Sequence, residues 1–164
     1  MMWTFLSLFL PYPIGRLWFS VIGGDVPRAA SVTVHGRLKG HHEIRRELET
    51  QPKPAIVARL SDTGAMREAV LINWQASDPC WESPIGCSFE VRLPGLPPGN
   101  YKFSFEMMDD LYRTSKGASG NSRILAYYGG PSAAPEAPGI TNPNDAAIVS
   151  IGPGQPGPKI VMNF

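Results

Sequence analysis

The chain has 164 residues, and its 15 Lys and Arg against 14 Asp and Glu leave a net charge of +1. That balance gives no field to draw in nucleic acid or an acidic membrane surface, so no nucleic-acid partner is expected. Seventeen Gly, seventeen Pro and 10% aromatic residues point to many turns between short strands around a bulky core, and away from disorder.

Residues 1–23, MMWTFLSLFLPYPIGRLWFSVIG, are strongly apolar. Pro11, Pro13 and Arg16 interrupt them, so no run approaches the ~20 residues that a spanning helix needs. The pattern is that of a targeting segment. Arg16 would serve as a short basic region, Leu17–Gly23 as the apolar stretch, and Ala29 with Ser31 as a small-x-small cleavage step. An apolar arm packed on the body is the alternative. Residues 1–30 are therefore expected to target or anchor the chain, and any membrane contact to run through this segment alone. The expected location is exported: periplasmic, cell-envelope or extracellular.

Residues 31–164 are expected to form one β-domain, a length sufficient to bury a core. In 31–39, SVTVHGRLK, Val32, Val34 and Leu38 alternate with Thr33, His35, Arg37 and Lys39, the period of a strand with one dry face. Residues 41–49, HHEIRRELE, are ambiguous, because Ile44 and Leu48 suit either a short helix or a strand. Pro52 and Pro54 end that segment. Strands follow at 55–61 and 69–75, the latter with Val70, Ile72 and Trp74 on one face.

Cys80 and Cys87 bracket the loop WESPIG. In an exported chain they are candidates for a disulfide that clamps this connection; two reduced, packed thiols are the other reading. Zinc is not indicated, since no C-x-x-C pairing occurs.

Residues 88–107 carry the strongest pattern. Phe89, Val91 and Leu93 alternate with Ser88, Glu90 and Arg92. After a Pro-Gly-Asn turn, Tyr101, Phe103, Phe105 and Met107 oppose Lys102, Ser104 and Glu106. Two such runs around a turn predict antiparallel strands, each with one wet face. Beyond them, 114–122 reads as a polar loop, 123–128 as a strand, and 129–145 as a long Pro/Ala/Gly loop of a length often associated with function. The last strands are 146–151 and 159–164. Seven to eight strands in all imply an all-β, antiparallel sandwich, with a closed barrel as the alternative.

At LPGLPPGNYKF the chain resembles the carboxypeptidase regulatory-like domain, a transthyretin-like sandwich of exported bacterial proteins. Phe89, Leu96, Pro97, Pro98, Gly99, Asn100 and Tyr101 carry the resemblance, and Val32–Gly40 is similar to that family's first strand. The family's Asp-x-x-Gly-x-Phe turn is replaced by PIGCSF, which keeps Gly86 and Phe89 without the aspartate. The resemblance implies Greek-key architecture and a non-enzymatic, carbohydrate-binding-like or accessory role, with no cofactor. A protein or carbohydrate of the cell envelope would be the partner. Some transthyretin-like surface domains form an internal Lys–Asn isopeptide. Here that would need Lys39, Asn163 and Glu90 or Glu106 buried together, whereas Lys39, Glu90 and Glu106 fall on polar faces.

Two alternatives involve specific residues. A carbohydrate-binding module would stack sugars on loop aromatics, with Trp81 and Tyr112 as the surface candidates beside Tyr127 and Tyr128. A small metal-dependent enzyme would use His35, His41, His42 and Glu43, the single His-containing cluster. Asp109, Asp110, Asn142, Asn144 and Asp145 lack the order of a calcium loop. No G-x-S-x-G or other hydrolase pattern is present, so no catalytic residue is assigned.

Overall fold

A computed structural model describes residues 30–40, 42–50, 52–114, 117–131 and 140–164. The apolar segment 1–29, His41 and residues 132–139 of the Pro/Ala/Gly loop lie outside the described residues. Strands run β1 Ala30–Leu38, β2 Lys53–Leu60, β3 Met66–Leu71, β4 Cys87–Leu96 and β5 Gly99–Met108. They continue as β6 Tyr112–Thr114, β7 Gly117–Ser119, β8 Ser122–Tyr127, β9 Val149–Ile151 and β10 Lys159–Asn163. A single α-helix among the described residues, α1, spans His42–Glu47, and short 3-10 turns occupy Pro79–Glu82 and Pro143–Asp145.

One sheet has the order β10-β1-β4 and the other β3-β2-β5-β8, with β9 also pairing β5. Their inner faces meet in one core. Val32, Val34, Leu38, Phe89, Leu93, Leu96, Ile160 and Met162 come from the first sheet, and Ile56, Ala58, Tyr101, Phe103, Phe105 and Met107 from the second. The dry faces expected for 31–39 and for the hairpin are the ones that turn inward, because alternation leaves each strand one apolar side to hide.

Most pairing is antiparallel, as the hairpin pattern requires, but β1 and β10 run parallel, with Val34 opposite Ile160 and Gly36 opposite Met162. Two strands far apart in sequence need no tight turn, so nothing local forces the antiparallel sense. Gly36 is suited to this contact, since a Cβ there would lie 1.6 Å from the Met162 carbonyl oxygen.

The described residues form ten strands, where seven to eight were expected, because two short three-residue strands, β6 and β7, lie in a segment without an alternating pattern. Three further expectations change. The ambiguous 41–49 segment is helical over His42–Glu47, with Ile44 as its buried residue. The 69–75 strand is shifted to Met66–Leu71. The polar loop at 114–122 contributes to a two-stranded hairpin, β6–β7, whose Ala118 packs with Ala55, Val57, Ala69 and Met108 on the outer side of the larger sheet.

A fourth difference lies on the same outer side of the larger sheet. Ser104 and Glu106, expected on a wet face, are fully buried. Arg59 Nε donates to Glu106 Oε1 at 2.7 Å and Arg59 Nη2 to Oε2 at 2.8 Å. Ser104 donates to Oε1 at 2.5 Å, and the Ser122 hydroxyl donates to Oε2. Arg59 Nη1 reaches the Gly64 carbonyl at 2.9 Å. Both carboxylate oxygens are thus doubly satisfied, the condition under which a charge is tolerated inside a protein. Burial by itself pushes the Glu106 carboxyl up. The hydrogen bonds from Arg59, Ser104 and Ser122, with the Arg59 charge, outweigh it and hold the group below the usual carboxylate range.

Glu106→Ala should therefore cost about 3 kcal/mol in urea unfolding, because it strands the half-covered Arg59. The carboxylate's contribution is fully present above the unfolded value of about 4.3 and is lost as pH falls through the lower folded value. Wild-type stability should drop on acidification below about pH 4.3, and Glu106→Gln should flatten that part of the profile; an unchanged acid limb in the variant would refute the linkage.

Candidate functional site

The solvent face of the β10-β1-β4 sheet is built by alternation, with every second residue of three strands. The register sets His35 opposite Glu90 on β4 and Val161 on β10, and Arg37 opposite Ser88 and Asn163. These residues, with Lys39, Ile85 and Phe164, line an open depression of about 960 Å3. A second depression of about 670 Å3 shares Glu90 and includes Ser31, Thr33 and Arg92. Arg37 and Lys39 in the first depression and Arg92 in the second lie along the same face as the Glu90 carboxylate, so the described part of this face is polar and mainly cationic.

His35 sits half-buried on this face, while His42 and Glu43 are exposed in the first turn of α1. His41 lies outside the described residues. Among the described residues, no three His, Cys, Asp or Glu side chains converge on a point that could hold a metal ion. Asn142, considered for calcium, instead accepts from the Asn144 amide at 3.0 Å and caps the 3-10 turn at Pro143–Asp145. Lys39 and Glu90 are exposed, and the buried Glu106 lies in the larger sheet, engaged by Arg59 of the adjacent strand, so the buried Lys–Asn–Glu group that an isopeptide requires is not assembled.

The aromatic platform is not assembled either. Trp81, expected at the surface, is only 8% exposed. Its indole N–H donates to the Gln75 carbonyl at 2.8 Å, and its ring meets Trp74 edge-on at 5.5 Å. Trp74 in turn packs on Phe89 at 5.8 Å, and Phe105 on Phe164 at 5.0 Å, an aromatic seam that spans both sheets. Cys80 and Cys87 are joined by a disulfide, which places the 3-10 turn carrying Trp81 directly against the start of β4. Tyr112, by contrast, is 59% exposed on β6. Tyr127 is buried and its amide donates to the Ile140 carbonyl at 2.7 Å. Tyr128 is half-buried, and burial pushes its hydroxyl pKa up. The four aromatics thus belong to three different surroundings, and sequence could not separate them because a Trp in a loop looks exposed until the loop is folded back.

Within the resemblance motif, Tyr101 is buried and its hydroxyl donates to the Pro97 carbonyl at 2.5 Å; burial raises its pKa, with Arg67 opposing. Leu96 is fully buried beside it. These residues close the β4–β5 turn. Comparison with protein families, with curated proteins and with solved structures returns no match to this chain.

The two surroundings predict different responses to truncation. Trp81→Ala should lower stability by about 3–5 kcal/mol through loss of packing, whereas Tyr112→Ala should change it by less than about 0.5 kcal/mol. Equal effects in chemical denaturation would contradict the placement of Trp81 in the core.

Proposed function

We propose that this chain is an exported, non-enzymatic β-sandwich module that binds or assembles with other components of the cell envelope. The observation that carries the reading is the Cys80–Cys87 disulfide in a chain whose residues 1–23 are apolar and followed by small residues. Disulfides persist in oxidising compartments. Closing so short a loop stabilises the fold by about 2–3 kcal/mol on the chain-entropy estimate.

The finer assignment, to the carboxypeptidase regulatory-like, transthyretin-like sandwiches, is supported by the hairpin at 88–107. Its distinctive Pro97, Gly99 and Tyr101 act in folding, as an accessory module's motif would. The broad cationic face of the smaller sheet suits a binding role. A carbohydrate reading retains Tyr112 but loses Trp81 as a stacking surface. A metal-enzyme reading retains His35 and His42 without a third described ligand.

Two measurements test the proposal. Cell fractionation should recover the chain outside the cytosol; a full-length product, Met1 included, found only in the cytosol would refute export. Thiol labelling of protein isolated without reductant should find both cysteines blocked, and free Cys80 and Cys87 would remove the observation on which the reading rests.

A further inference from the structure

Among the described residues, the edges at β4, β3 and β8 each carry contacts beyond their own ladder. On β4, Pro94 interrupts the row of donors, and the Trp74 indole N–H donates to the Ser88 carbonyl at 3.0 Å. Against β3, the β6–β7 hairpin packs so closely that a Cβ at Gly117 would lie 2.5 Å from the Arg67 carbonyl oxygen. Beyond β8, the Tyr127 amide donates to Ile140 at 2.7 Å and the Ala147 amide to the Tyr128 carbonyl at 2.8 Å.

The fourth edge, β10, has no strand beyond it among the described residues. In a parallel ladder alternate residues turn their N–H and C=O toward the neighbour. Phe164 does so, donating to the Arg37 carbonyl at 2.9 Å and accepting from the Lys39 amide at 3.0 Å. By that alternation Ile160 and Met162 also face β1, while Lys159, Val161 and Asn163 turn their backbone groups outward. Native proteins usually blunt such an edge. Here Val161 at its middle is 52% exposed.

We propose that β10 is a docking edge for a second copy of this chain, paired antiparallel about Val161 to join the two smaller sheets into one. The edge is self-complementary. Centring a two-fold axis on Val161 sets it against the partner's Val161 and sets Lys159 against the partner's Asn163, so no like charges face each other. The outward N–H and C=O groups of Lys159, Val161 and Asn163 then meet their counterparts as hydrogen-bonded pairs. On the inner side Ile160 falls opposite the partner's Met162, continuing the core across the seam. The pairing names a partner for the assembly reading above and rests on it only for its biological setting.

Sedimentation equilibrium of the full chain, at concentrations up to about 1 mM, should show a monomer–dimer equilibrium. Val161→Pro removes an outward N–H while sparing the β1 ladder, as Pro on an edge strand does. It should reduce dimer affinity at least tenfold with little change in thermal unfolding. Val161→Lys places two like charges opposite each other and should have the same effect, which keeps the test intact if the proline variant fails to fold. Amide exchange locates the contact: the Val161 and Asn163 amides should slow as concentration rises. A wild-type monomer throughout, a folded Val161→Lys variant that dimerises as wild type does, or fast exchange at both amides in the dimer would overturn the proposal. A monomeric result would leave export and disulfide formation to their own measurements.

Discussion

The architecture depends on β5 being buried on both faces. Phe103, Phe105 and Met107 fill the space between the sheets, while Ser104, Glu106 and Met108 lie beneath a second cover. A carboxylate in that position is compatible with folding only if its charge is answered, and Arg59 on the neighbouring strand answers it with two hydrogen bonds. The same network sets register. Arg59 lies on β2 and Ser122 at the start of β8, so one anion connects the three adjacent strands of the larger sheet. A slip of one residue in any of them would turn its contribution to the other face.

The second organising element is the aromatic seam. Trp81, Trp74, Phe89, Phe105 and Phe164 come from a 3-10 turn, the β3–β4 connection, both strands of the hairpin and the last described residue. Edge-to-face contacts of this kind add to area burial, and the disulfide draws Trp81 into the group. The loop expected to display an aromatic to solvent is a plug in the core.

How far the chain could be read in advance varied with the range of the interactions. Val32, Val34 and Leu38 were legible as a buried row, and so were Phe89, Val91 and Leu93, because strand alternation is a local property. The β4–β5 turn was legible from Pro97, Pro98 and Gly99 for the same reason. Ser104 and Glu106 were not, since their polarity matched a solvent face and nothing local indicates that Arg59 and Ser122 from neighbouring strands close around the carboxylate. Trp81 was misplaced on similar grounds, and so was the parallel sense of β10, whose partner lies at the opposite end of the body.

The sequence by itself determined which residues alternate, where the turns fall and which cysteines lie within reach of each other. These follow from backbone geometry and side-chain polarity over a few residues. Only the tertiary structure decided that Glu106 is a buried anion with Arg59 as its partner, that Trp81 belongs to the core, and that β10 pairs β1 in parallel as the outermost strand of its sheet among the described residues. Each of these depends on which segments distant in sequence cover one another, and burial of a given face is settled by that covering rather than by the face's own composition.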